Sequence, residues 1–95
     1  MPKGHILVVD DEVEIREGLE ALLSSEGFDV TPAETGAQGL ACLEVRPFDL
    51  LLLDVSLPDC NGLELLREIR RREPALCIIL ITAYGSIDIC LLYTS

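Results

Sequence analysis

Three apolar runs in this chain end on side chains that carry oxygen. His5–Val9 leads into Asp10 and Asp11, residues 49–53 lead into Asp54, and Cys77–Ile81 leads into Thr82. In an open parallel sheet, ligands bind beyond the carboxyl ends of the strands, and neighbouring strands lie about 4.8 Å apart. Carboxylates from adjacent strand ends can therefore meet in one cleft. Two like charges about 4 Å apart repel by roughly 4 kcal/mol at an effective dielectric of 20. Either one carboxyl group keeps its proton or a cation sits among them. An all-oxygen cluster with few ligands suits Mg²⁺, which keeps several waters and bridges to phosphate. A carboxylate beside such an ion is a known type of nucleophile that forms an aspartyl phosphate, and the metal screens its repulsion of the incoming group.

Each residue also has a plainer reading. An Asp between a strand and a helix commonly caps the helix, and Asp11 with Glu14 has capping-box spacing, with Asp in place of the usual Ser or Thr. Asp54 precedes the turn formers Pro58, Asp59, Asn61 and Gly62 and could simply end a strand. Thr82 alone says nothing, and His5 reads as an ordinary strand-start residue. Three polar strand ends at one sheet edge favour the chemical reading.

The elements that must position these groups follow from periodicity. Residues 12–25 read as a helix, with Ile15, Leu19, Leu22 and Leu23 on one face, and Gly27 is placed to end it. Residues 28–32 form a short second strand, and Gly36–Val45 a second helix with Ala37, Leu40 and Ala41 on successive turns. Four consecutive leucines lead to Asp54; leucine favours helix, but the run is too short for one and Pro47 and Pro58 bound it. Residues 61–72 are a third helix, with Leu65, Leu66 and Ile69 facing inward and three arginines at the negative end of the helix dipole. The order β-α-β-α-β-α-β, with strands apolar enough to be covered twice, predicts a doubly wound parallel α/β sheet.

Composition narrows the function. The chain has 95 residues, 49% of them hydrophobic, which predicts one globular domain. The formal charge of −10 is the wrong sign for a nucleic-acid surface. No apolar run reaches the roughly 18 residues a membrane span needs, and the first residues lack a signal-peptide pattern, so a cytoplasmic location is the default. Cys42, Cys60, Cys77 and Cys90 form no C-x-x-C pair, which disfavours zinc and thioredoxin-type chemistry; Cys42 and Cys77 read as core residues. No phosphate-binding glycine motif follows a strand.

The strings Ile6-Leu7-Val8-Val9-Asp10-Asp11-Glu12, Asp54-Val55-Ser56-Leu57-Pro58-Asp59-Cys60-Asn61-Gly62 and Ile79-Leu80-Ile81-Thr82-Ala83-Tyr84-Gly85 resemble the receiver domains of bacterial response regulators. The resemblance covers residues 5 to about 89 and implies a flavodoxin-like fold with strand order 2-1-3-4-5. It also implies a role for each matching residue. Asp54 accepts a phosphoryl group from a sensor histidine kinase. Asp11 and Asp54 bind Mg²⁺ directly, Asp10 helps through water, and the Ser56 carbonyl adds a ligand. Thr82 hydrogen-bonds the phosphoryl group, and small Ala83 leaves room for it.

The implied function is a phosphorelay switch rather than an enzyme, acting on an output such as transcription. The stretch from Ile81 to Asp88 resembles receivers joined to DNA-binding activators, so any DNA contact would belong to a downstream domain. A receiver homodimer is a candidate assembly. The alternative is a receiver-like interaction domain that is not phosphorylated. An aspartyl phosphatase is disfavoured because its Asp-x-Asp pattern is here an adjacent pair.

The family's lysine, which pairs with the phosphate after a further strand, has no match: Lys3 is the only lysine and lies at the other end. The resemblance implies truncation after the fourth strand, where a fourth helix should begin. Residues 90–95, Cys-Leu-Leu-Tyr-Thr-Ser, resemble translated transposase-end adapter sequence; the alternative is a natural short helix, which Cys and Thr fit poorly. The expected division is a partial receiver at 1–89 and a non-native tail at 90–95. An exposed fourth strand would then be an aggregation liability, and the polypeptide is expected to be marginally stable or unfolded.

Overall fold

The computed structural model describes residues 3–54, 57, 61–81 and 87–89. Elements run β1 (His5–Val9), α1 (Val13–Ser25), β2 (Asp29–Ala33), α2 (Gly36–Val45), β3 (Leu50–Asp54), α3 (Gly62–Arg72), β4 (Cys77–Ile81) and β5 (Ile87–Ile89). The sheet order is β2-β1-β3-β4-β5, and the first four strands are parallel. This is the expected doubly wound α/β architecture, with β2 and β3 each displaced by one residue from the sequence reading.

Successive strand residues face opposite sides of the sheet, and here both sides are apolar. Leu7, Val9, Leu51, Leu53, Ile78 and Leu80 join Leu65, Leu66 and Ile69 of α3 in one cluster, with Leu40 and Leu43 of α2 packed against it. Ile6, Val8 and Leu52 face the other way, toward Leu19 and Leu23 of α1. Two of the four α1 residues expected to face inward do so; Ile15 and Leu22 are exposed. α1 lies over β1 and β2, and its own surface contains no buried residue.

Local chemistry sets the helix ends. α1 closes on Gly27 at φ +98°, with the Gly27 amide donating to the Ser24 carbonyl and the Phe28 amide to that of Leu23. That is the Schellman arrangement, whose positive φ glycine adopts at no steric cost. α2 is capped by Thr35, whose hydroxyl accepts from the Gln38 amide at 3.1 Å, and α3 by Asn61, whose Oδ1 accepts from Leu63 at 2.8 Å. Arg70 turns back under α3 and donates to the carbonyls of Pro74 (3.1 Å) and Leu76 (2.5 Å), so it acts through hydrogen bonds as well as through the helix dipole. Cys42 and Cys77 are half-buried free thiols.

One element departs from expectation. Ile87–Ile89 is a strand, not the start of a helix, and pairs antiparallel with β4 through Ile79↔Ile89, Leu80↔Asp88 and Ile81↔Ile87. Residues 82–86 are too few for the crossover that a parallel strand requires, whereas an antiparallel return needs only a short link. β4 is therefore paired at its outer edge over three residues rather than left open. Residues 90–95 lie outside the described residues. Among the described residues, no helix is long and apolar enough to cross a membrane.

Candidate metal and phosphoacceptor site

The sheet register brings the acidic residues together. Val9 is the Cα partner of Leu53, so the next residues along, Asp10 and Asp54, sit side by side at the carboxyl edge. Asp10, Asp11 and Asp54 each present an oxygen within 4.8 Å of the others. Asp10 is 1% and Asp54 8% exposed, whereas Asp11 is exposed.

Three hydrogen bonds fix Asp10. Its amide donates to the Ala33 carbonyl at 3.1 Å, its Oδ1 accepts from the Glu12 amide at 2.9 Å, and its carbonyl accepts from Arg16 Nη1 at 2.7 Å. The capping expectation for Asp11 is corrected here. Glu12 is the N-cap of α1 and makes no side-chain cap bond; it is Asp10, reaching two residues forward, that satisfies the Glu12 amide. The Asp10 carboxylate lies inside the turn and that of Asp11 does not, so Asp11 can serve a ligand.

The donor set fits a small hard cation. At the 2.0–2.1 Å bonds Mg²⁺ demands, two oxygens on one ion are at most about 4.2 Å apart. Oxygens within 4.8 Å of one another are close enough for one such ion and its bound waters to be shared among them. The partly enclosed position of Asp54 strengthens any electrostatic interaction made there.

Ser56 and Thr82, the other expected site residues, lie outside the described residues, as does Ala83. Asp54 pairs with Ile81 across β3 and β4, so Thr82 follows the residue beside Asp54 in the register. Lys3 is at the amino edge, its amide donating to Gly27 at 2.8 Å and its ammonium 5.9 Å from the centre of the Phe28 ring. It takes no part in this site. The sequence reading missed Arg16, which is 11% exposed and 3.8 Å from Glu34. The sequence shows only that this cation stands near a helix N-terminus, where the dipole opposes it; its partner is set by packing between elements.

Comparison with known proteins agrees with this geometry. Residues 6–92 match the response regulator receiver domain. The chain is 44% identical over 87 residues to the uncharacterized transcriptional regulatory protein YkoG of Bacillus subtilis, covering 92% of this chain and 38% of YkoG. It is 40% identical over 88 residues to the DNA-binding transcriptional regulator NtrC of Escherichia coli, covering 93% of this chain and 19% of NtrC. It thus spans well under half the length of these relatives. Among solved structures, the response regulator TrrA of Thermotoga maritima, in complex with Mg²⁺ and BeF, aligns with a TM-score of 0.80 at 42% identity, over 90% of this chain and 72% of that one. TrrA has also been solved in complex with the histidine kinase ThkA. With a match across 6–92 and the fold and strand order of such domains, this chain belongs to the response regulator receiver domain family.

Proposed function

We propose that this domain is the phosphoacceptor module of a two-component phosphorelay and that Asp54 takes the phosphoryl group. The observation that carries the reading is the meeting of Asp10, Asp11 and Asp54 at one sheet edge, each with an oxygen within 4.8 Å of the others. The Mg²⁺ and BeF complex of TrrA and its complex with a histidine kinase support it. An Asp54 carboxylate oxygen attacks phosphorus while the bond to a kinase imidazole nitrogen breaks, and that nitrogen keeps the electron pair. Asp11 and Asp54 would hold Mg²⁺, with Asp10 reaching it through water and the Ser56 carbonyl completing the protein ligands. Bound there, the ion would neutralise charge on the transferring group. Thr82 would receive the phosphoryl oxygens, converting a local charge change into a shift between two conformations.

On this reading the domain is a switch rather than an enzyme, and it works in the cytoplasm. Its input partner is a sensor histidine kinase, and its output is transcription through a DNA-binding partner or domain. A net charge of −10 disfavours direct nucleic-acid contact. The test is intact mass after incubation with Mg²⁺ and a small-molecule phosphodonor. One phosphoryl adduct is expected, absent in Asp54→Asn and absent without Mg²⁺. An adduct on Asp54→Asn would refute the assignment; no adduct on either chain would favour the non-phosphorylated interaction domain.

A further inference from the structure

The peptide unit joining Asp10 to Asp11 carries both acidic side chains, and α1 holds it from one side. Arg16 Nη1 donates to the Asp10 carbonyl at 2.7 Å, its side chain is 11% exposed, and its Nη2 lies 3.8 Å from Glu34, just beyond β2. The Glu12 amide holds the same residue through Oδ1 at 2.9 Å. A guanidinium is planar and presents its donors in a fixed fork, so one side chain reaches both the β1–α1 turn and the residue after β2. Burying most of this cation beside the helix N-terminus is unfavourable on its own, because the dipole opposes it. The hydrogen bond to Asp10 and the acidic surroundings offset that cost.

We propose that Arg16 is a positioning residue of the acidic site. It fixes the Asp10–Asp11 peptide so that both carboxylates are presented toward Asp54 in one arrangement. The inference rests on the Mg²⁺ reading above and adds a residue outside the ligand set. Groups that orient ligands typically change metal affinity by 10–100-fold when removed; Arg16 acts through the main chain of a ligand residue, so the low end is expected. A mere neighbouring charge predicts the opposite sign, since removing a cation near a cation site tightens binding.

The experiment compares the 95-residue chain with Arg16→Met and Arg16→Lys by two readouts. One is the Mg²⁺ dissociation constant from titration with MgCl₂, and the other is hydrogen-exchange protection of the Glu12 amide without metal. Protection of the Leu51, Leu52 and Leu53 amides reports whether each variant is folded. Arg16→Met is expected to lose protection at Glu12 and to bind Mg²⁺ roughly tenfold more weakly, with Arg16→Lys between it and the parent. Unchanged or tighter Mg²⁺ binding in folded Arg16→Met overturns the proposal, and so does unchanged Glu12 protection. If Arg16→Met loses core protection, Arg16→Lys carries the same two readouts. If Glu12 protection falls but the parent binds no Mg²⁺, the hold on the turn stands and the metal reading is what fails.

Discussion

The two faces of the sheet are built from the same strands and are covered very differently. Among the described residues, twelve buried apolar side chains from strands, α3 and loops form a cluster on one face, with α2 side chains against it. On the other, three of the described residues are buried, and Phe28, Val30, Leu50, Ile79 and Ile81 are only partly covered. The difference arises from how many helices lie on each face, not from strand composition. Both faces of β3 are leucine, yet Leu51 and Leu53 are wholly buried while Leu52 is 8% and Leu50 more exposed. An apolar pattern states which residues gain from burial; the neighbouring elements set how much each receives.

Truncating core side chains should separate the faces most. Leu66→Ala, under α3, is expected to cost about 2–5 kcal/mol, and half-covered Leu23→Ala, on α1, about 1 kcal/mol. Urea unfolding followed by circular dichroism measures both, and equal losses would break the comparison.

Glycine substitutions should differ in sign. A Cβ on Gly39 would stand 2.8 Å from Val9 Cγ2, whereas one on Gly18 meets nothing within 4 Å. Gly39→Ala should destabilise by about 1–3 kcal/mol through overpacking, and Gly18→Ala should stabilise by up to about 1 kcal/mol through helix propensity. The same denaturation curves decide this, and a shift of the same sign in both would show that α2 is as loosely seated as α1.

Helix starts sharpen the contrast further. Asn61 caps α3 with its side chain, while Glu12 makes no such bond at α1. Asn61→Ala should lower stability by about 1 kcal/mol and Glu12→Ala by much less, read as a difference in thermal midpoint.

The smallest effect belongs to the surface ion pairs at the end of α3, where Arg72 contacts Glu68 of the same helix at 2.9 Å and Glu44 of α2 at 3.0 Å. The Glu68 carboxyl is held below its ordinary value, first by the hydrogen bond from Arg71 and then by that from Arg72. It binds a proton less readily folded than unfolded. Its contribution is therefore present above the unfolded-chain value and lost as pH falls through the folded one. The small stability gap between the parent and Glu68→Gln should close on acidification and narrow with salt.

Much of this arrangement was legible in the sequence because strand ends are legible. An apolar run broken by Asp marks both where a strand stops and which residue stands at the sheet edge, so β1, α2 and β4 fall where periodicity puts them, and Asp10, Asp11 and Asp54 converge as their positions require. Tertiary structure decided what depends on a neighbour. Ile15 and Leu22 share a helical face with Leu19 and Leu23, yet remain exposed because α1 covers only part of the sheet. Asp10 rather than Asp11 satisfies the start of α1, because the turn after β1 points the first carboxylate inward. Ile87–Ile89 became an antiparallel strand because the edge of β4 offered partners and the link from it was short. Arg16 could be assigned to the site only once α1 lay beside β1, since a hydrogen bond to a main-chain carbonyl leaves no pattern in side-chain spacing. Local periodicity settles the element and the face; which groups meet, and at what distance, is settled by packing between elements.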